Sequence, residues 1–179
     1  MILENEINKK FGENLKRDVK LSSYSWYNLG GCAEYFYRAK DKNQLIKFLK
    51  EIKKINLKSI IIGAGSNTLF RDNGVKGAVI KLGGDFSKVK LIGQDTLEVG
   101  AATLDRNIAN FAKDHGLGNL EFLSCIPGTL GGAIIMNSGC YENDISQVLV
   151  SIKAIDKNKL LEIEIKKEDI EFFYRGTNL

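Results

Sequence analysis

Two glycine-rich segments are the parts of this sequence best suited to bind a ligand. The first, Gly63-Ala64-Gly65-Ser66-Asn67, follows the apolar run Ser59–Ile62, and the second, Pro127-Gly128-Thr129-Leu130-Gly131-Gly132, holds the only proline of the chain. Glycine adopts positive φ and lets main chain approach a ligand without an intervening Cβ, and proline fixes one φ angle. Backbone N–H groups in such loops can cradle an anion such as a pyrophosphate. Two tight turns without a ligand would look the same, so composition and spacing alone leave both interpretations open.

Neither segment fits the common nucleotide-binding motifs. A dinucleotide fingerprint needs a third glycine that opens a helix, but that position holds Thr68, and neither segment has the lysine of a P-loop. The single histidine, His115, lies beside Gly116 at a predicted helix end, which is typical of a helix-terminal charge. No carboxylate pair or Ser/His/Asp set stands out. We therefore expect a bound cofactor to supply the chemistry.

The composition favours a cytoplasmic protein that binds a small anionic molecule. The 179 residues suit one domain or two small ones, and the modest net charge of +4 is spread along the chain, so we expect no nucleic-acid partner. Cys32, Cys125 and Cys140 are odd in number and lack CxxC spacing, which argues against a disulfide framework or a metal site. No signal peptide or membrane-spanning run is evident, so we expect no membrane association.

Periodicity predicts a mixture of strands and single helices. Asp41, with Gln44 three residues on, predicts the start of an amphipathic helix, and Thr103 is the predicted cap of a second. A weaker pattern of Ile7, Phe11 and Leu15 predicts a short leading helix. Further predicted elements are strands at 34–39, 59–62, 77–82, 89–92 and 96–99, a short buried stretch at 133–136, and a hairpin of 148–155 with 160–165. The order favours an α+β fold.

Several motifs in a fixed order resemble the UDP-N-acetylenolpyruvoylglucosamine reductase family, over residues 20–179. They are Leu29-Gly30-Gly31-Cys32-Ala33-Glu34, the first glycine loop, the segment 126–133 around Pro127, Met136-Asn137-Ser138-Gly139-Cys140-Tyr141, and Tyr174-Arg175. The resemblance implies an FAD-binding fold of the vanillyl-alcohol oxidase type, made of two α+β subdomains. It divides the chain into an N-terminal extension, 1–20, and an FAD-binding domain, 21–179. It also implies that the chain is the front part of a longer protein with a substrate domain.

The resemblance also implies the residues of the site. Those that would bind FAD noncovalently are Gly63, Ala64, Gly65, Ser66 and Asn67 in the first loop and Pro127, Gly128, Thr129, Gly131 and Gly132 in the second, with Gly100-Ala101-Ala102 as a further segment facing FAD. From the residues alone, Arg175 is a surface charge at a strand end; the resemblance makes it the catalytic arginine, with Tyr141 near the substrate. We expect side chains placed at Gly65 or Gly131 to fill space needed by the cofactor and to damage FAD binding more than folding.

The reaction implied is reduction of a UDP-sugar enolpyruvyl ether by NADPH through FAD, in peptidoglycan precursor synthesis. Arg175 would stabilise the charge that develops on the substrate, while the serine that donates a proton and a late glutamate would lie beyond residue 179. Cys32 replaces the usual proline and Thr177 the usual serine. The alternatives are an FAD-dependent sugar or alcohol oxidase of the same fold, or a nucleotide-binding module without catalysis.

Overall fold

A computed structural model describes residues 10–179, which form two compact units divided between Phe86 and Ser87. The first unit is built on a four-stranded sheet of β1 (Leu15–Lys20), β2 (Cys32–Ala39), β3 (Ser59–Ile62) and β4 (Val75–Leu82), in the order β1-β2-β4-β3. β1 is antiparallel to β2, whereas β2 and β3 both run parallel to β4. The centres of β2 and β4 are buried on both faces, as parallel strands require.

Helix α1 (Lys42–Lys54) covers one face of this sheet, as the sequence predicts. The Asp41 carboxylate caps it by accepting a hydrogen bond of 2.8 Å from the Gln44 backbone N–H. Its buried residues include Phe48, whose ring stacks on that of Tyr37 in β2 with centroids 3.9 Å apart. The other face is covered by a cluster that includes Leu21, Phe36, Ile62, Phe70 and Val79.

The predicted leading helix is wrong where it reaches Leu15. That residue is buried and begins β1, where it pairs with Tyr37, because strand pairing on an existing sheet outweighs a weak i, i+4 pattern. Phe11 packs edge-on against the Tyr37 and Phe48 rings, and Ile7 lies outside the described residues.

The second unit has short hairpins and helices around a core that includes Ile108, Phe122, Leu123, Ile134 and Ile145. Its elements are β5 (Val89–Ile92), β6 (Thr96–Val99), α2 (Asp105–Asp114), α3 (Leu130–Ile135), β7 (Gly139–Cys140), β8 (Asn143–Asp144), α4 (Ile145–Val148), β9 (Ser151–Ile155), β10 (Glu162–Lys166), β11 (Phe172–Phe173) and β12 (Gly176–Thr177). Each of the pairs β5–β6, β7–β8, β9–β10 and β11–β12 is antiparallel. The predicted hairpin before and after residues 156–159 is thus confirmed.

Two predictions about helices in this unit need correction. The N-cap of helix α2 is Leu104 rather than Thr103, and it makes no side-chain capping hydrogen bond. The predicted buried stretch at 133–136 is buried only at Ala133 and Ile134; it lies in helix α3 and its C-cap, and Ile135 is exposed. The predicted end of α2 is confirmed: His115 is its C-cap and Gly116 has a φ of +69°. No helix within residues 10–179 is long and apolar enough to cross a membrane.

Asp105, the first residue of α2, is the most unusual group in this unit. It is fully buried, and among residues 10–179 neither carboxylate oxygen has a hydrogen-bond partner; the nearby Thr103 hydroxyl, also buried, lacks one there too. Burial raises the pKa of Asp105 to about 7, because removing a carboxylate from water disfavours its charged form. The acid is therefore largely protonated below neutral pH.

We predict that Asp105 makes the folded chain less stable as pH rises from about 4 to about 7. Its pKa is higher in the folded than in the unfolded state, so folding takes up a proton in that range and stability falls until both states are ionised. A shift from 3.8 to about 7 corresponds to about 4 kcal/mol at most. Urea denaturation at several pH values should show this slope flattened in Asp105→Asn and kept in Asp114→Asn, a change at the exposed last residue of the same helix. Equal slopes in all three proteins would contradict the prediction.

Candidate cofactor-binding and active site

The first glycine loop leaves the end of β3 and is fixed by the segment after β1. Gly65 is buried with a φ of +76°, and a Cβ there would collide with the Tyr24 carbonyl oxygen. The Gly65 carbonyl in turn accepts a hydrogen bond of 3.0 Å from the Trp26 N–H. The expectation that a side chain at Gly65 would chiefly obstruct a cofactor is therefore wrong, because it would first displace protein backbone.

The rest of this loop is accessible to a ligand. Gly63, Ala64 and Ser66 are partly exposed and Asn67 is exposed. The loop continues to Thr68, whose carbonyl accepts a hydrogen bond of 2.6 Å from the buried Ser25 hydroxyl. The loop is thus held from behind by the 24–26 segment, while its open side carries the four residues that can contact a ligand.

The second glycine segment is held by the chain just before α2. The Gly131 N–H donates to the Ala101 carbonyl at 2.9 Å, and the Leu130 N–H donates to the Thr103 carbonyl at 3.0 Å. The Asp105 N–H donates to Gly128 at 3.2 Å, which completes a bridge between Leu104 and Thr129. Ala101, in the predicted segment Gly100-Ala101-Ala102, therefore supports the second glycine segment from the protein side.

Glycines of the second segment differ in what surrounds them. A Cβ at Gly131 would lie 3.2 Å from the Ala101 side chain and carbonyl oxygen, so Ala101 would have to move by a few tenths of an ångström to admit a side chain there. A Cβ at Gly132 would meet nothing within 4 Å, and Gly132 is exposed. Pro127 is also exposed, whereas Thr129 is buried. Gly132 therefore has open space beside it.

Tyr141 and Arg175 lie on two hairpin turns that the structure brings together. Tyr141 and Glu142 form the turn between β7 and β8, with φ of 52° and 63°, and Arg175 has a φ of 59° in the turn between β11 and β12. The Arg175 Nη1 donates to the Gly139 carbonyl at 3.1 Å, and its guanidinium lies 5.3 Å from the centre of the Tyr174 ring. Left-handed conformations of such residues are uncommon, and they cluster at functional sites.

Asn137 ties these hairpins together and was not identified as a site residue from the sequence. Its Nδ2 donates to the Asp144 carboxylate at 3.3 Å and reaches the Phe173 carbonyl at 3.5 Å, while its Oδ1 accepts from the Ser146 N–H at 3.0 Å. Asn137 is buried and has a φ of 38°. Its place in the Met136-Asn137-Ser138 motif was the only signal in the sequence.

Thr177 stands where the resemblance implies a serine. Its hydroxyl donates a hydrogen bond of 3.2 Å to the Ile135 carbonyl.

The geometry divides the candidate residues into two sets. The first glycine loop lies in the unit that ends at Phe86, and the remaining candidates lie in the unit that begins at Ser87. Within residues 10–179, no three His, Cys, Asp or Glu side chains are placed to hold a metal ion.

Comparison with known proteins identifies relatives that share most of this chain. The chain is 43% identical over 178 residues to the UDP-N-acetylenolpyruvoylglucosamine reductase of Pelagibacter ubique (strain HTCC1062), a match that covers 98% of the chain and 56% of the relative. It is also similar to the crystal structure of that reductase (MurB) from Thermus caldophilus, with a TM-score of 0.78, 30% identity, and coverage of 92% and 57%. The chain thus spans about half the length of the curated relatives it matches.

More distant structures share the fold alone. An alkyldihydroxyacetonephosphate synthase superposes with a TM-score of 0.69 at 15% identity, covering 93% of this chain and 35% of the synthase. The fold is therefore the predicted α+β fold of the vanillyl-alcohol oxidase type. Residues 33–160 match the family described as FAD binding domain. The chain belongs to this family of FAD binding domains.

Proposed function

We propose that this chain is the FAD-binding part of a UDP-N-acetylenolpyruvoylglucosamine reductase. In this proposal NADPH is the reductant, a UDP-sugar enolpyruvyl ether is the substrate, and the product enters peptidoglycan synthesis. The observation that carries the proposal is the pairing of the Tyr141 and Arg175 hairpins, in a chain whose relatives carry this name. Residues 21–179 form the FAD-binding domain in this account, and no nucleic acid takes part.

The glycine segments suit a flavin dinucleotide. Gly63, Ala64, Ser66 and Asn67 would line the pyrophosphate from one segment, with Gly65 fixing the shape of the loop. In the other, Pro127, Gly128, Thr129, Gly131 and Gly132 would line the FAD site, with the Gly131 N–H bonded to the Ala101 carbonyl. Such crowded glycines and a lone proline give a preformed loop, which reduces the entropy lost on binding. FAD, when bound and reduced by NADPH, would supply the hydride for the enolpyruvyl double bond.

Arg175 would stabilise negative charge on the substrate. Hydride addition to the double bond moves electrons toward the adjacent carboxylate, and a guanidinium that is always protonated and offers two donors meets that charge. The bond to Gly139 fixes one end of the guanidinium before the substrate arrives. Tyr141 is 78% exposed, so its hydroxyl is available to the substrate. The donor of the final proton would be a serine of the substrate domain.

We predict that Gly132→Gln weakens FAD binding without destabilising the chain. The new side chain enters space that is open in the structure, and glutamine stabilises a helix by roughly 0.5–1 kcal/mol relative to glycine. FAD affinity should fall by about tenfold or more, or about 1.4 kcal/mol, as measured by quenching of flavin fluorescence.

The matched control for this prediction is Gly118→Gln. Gly118 is exposed, and its nearest neighbour to an added Cβ is the end of the Glu121 side chain at 3.7 Å. This variant should bind FAD like the wild type. If Gly132→Gln also binds FAD with wild-type affinity, the second segment is an ordinary turn.

We predict that Arg175→Ala slows hydride transfer to the substrate, in a protein where this chain is continued by the substrate domain. Loss of one preorganised donor of this kind costs about 10²–10³ in rate, or roughly 3–4 kcal/mol. Stopped-flow traces should show slow reoxidation of the flavin by the enolpyruvyl substrate, while reduction by NADPH changes far less. Arg175→Lys should restore little, because an ammonium lacks the planar two-point donor.

The fold itself should tolerate both variants. Alanine and lysine must adopt the same left-handed backbone conformation as Arg175, so that backbone cost does not change. The main loss of folding stability is then that of the hydrogen bond to the Gly139 carbonyl, worth about 1 kcal/mol. Equal slowing of both half-reactions, or of neither, would mean that Arg175 only supports the turn.

A further inference from the structure

Two cations lie next to each other where the first glycine loop begins. Lys81 in β4 pairs with Arg38 in β2 on one side and with Ile62, the last residue of β3, on the other. All three strands run parallel, so these residues lie at their common carboxyl edge, where ligands bind in open α/β sheets. Directly paired residues of parallel strands project from the same face, so both cations lie on the face that carries Ile62, the residue before the loop.

Lys81 contacts the loop directly. Its ammonium donates to the Gly63 carbonyl at 2.6 Å, and its side chain is partly buried beside Arg38. Burial, and then the charge of Arg38, lower the pKa of Lys81. The Arg38 guanidinium donates to the Tyr24 hydroxyl at 3.1 Å, and the Tyr24 carbonyl lies against Gly65. Lys81 is thus bonded to the loop directly, and Arg38 is linked to it through Tyr24.

Neither cation has an acidic partner among the residues the structure describes. The ion pairs found in 10–179 join other residues, such as Lys10 with Glu51 and Lys153 with Glu98. Two adjacent positive charges, one of them partly removed from water, repel each other and lose hydration unless an anion lies near. A pair of positive charges beside an accessible glycine-rich loop is suited to bind a negatively charged group, because the backbone N–H groups of such loops bind anions.

We propose that Lys81 and Arg38 form a positively charged pair next to the 63–67 loop, and that this pair binds the diphosphate of FAD together with the loop. This inference rests on the proposed function, since it takes FAD as the ligand of that loop and adds the two cations to its binding site. Lys81 would serve twice, orienting the loop through the Gly63 carbonyl and attracting the diphosphate by its charge. Arg38 would add a second positive charge at the same edge.

The test is titration of the chain and its variants with FAD. Lys81→Met should weaken FAD binding by about tenfold or more, while the melting temperature of the protein without ligand stays equal or rises, because a partly buried charge is removed. The matched control is Lys76→Met, which removes an exposed lysine at the other end of β4 and should bind FAD like the wild type. Raising the NaCl concentration should weaken FAD binding more in the wild type than in Lys81→Met.

Arg38→Gln provides an independent variant, since Arg38 is exposed and its loss should leave the fold intact. It should also weaken FAD binding, and riboflavin, which lacks phosphate, should bind both variants as it binds the wild type. Wild-type FAD affinity in Lys81→Met and Arg38→Gln would overturn this inference alone. The inference also fails if riboflavin loses affinity as FAD does, or if the variants lose affinity for UDP and not for FAD. Absence of FAD binding by every protein, the wild type included, would instead overturn the proposed function, and this inference with it.

Discussion

The close backbone approach of Gly65 to the Tyr24 carbonyl is the constraint on which the first glycine loop depends. A residue with a Cβ, or one without access to a φ of +76°, does not fit there. The loop is therefore held in one shape before any ligand arrives, with Gly63 at the end of β3 and the accessible residues turned outward. Because the shape is fixed by contacts within the protein, binding a dinucleotide need not order the loop.

In the second unit, residues other than glycine adopt uncommon backbone conformations at the turns that carry the candidate residues. Asn137, Tyr141, Glu142 and Arg175 all have left-handed backbones, which cost about 1–3 kcal/mol at most for each such residue. The hydrogen bonds of Asn137 to both hairpins and of Arg175 to Gly139 hold these turns in place. Tyr141 and Arg175 are thereby carried on turns that hydrogen bonds hold, and the proposed function uses this placement as a preorganised site.

Sequence patterns correctly predicted the elements that are determined by interactions between residues close together in the chain. The cap at Asp41 and the apolar stripe that follows it predicted α1, because both the cap and the amphipathic face act within one helix. The α+β class and the glycine segments also followed from composition and spacing. The leading helix failed at Leu15 because a neighbouring strand, distant in sequence, pairs with it.

Groups whose importance depends on the tertiary structure could not be predicted. By sequence, Asp105 is an ordinary acid in a first helical turn. Only the fold shows that both its oxygens are buried with no hydrogen-bond partner in the described part of the chain. Lys81 and Arg38 become neighbours through the parallel register of β2 and β4.

The most direct test of the account is titration of FAD into residues 1–179, followed by acid precipitation. The account predicts a perturbed flavin absorbance spectrum and release of all flavin into the supernatant. An unchanged spectrum at excess FAD, or flavin retained in the precipitate, would contradict noncovalent FAD binding by this chain.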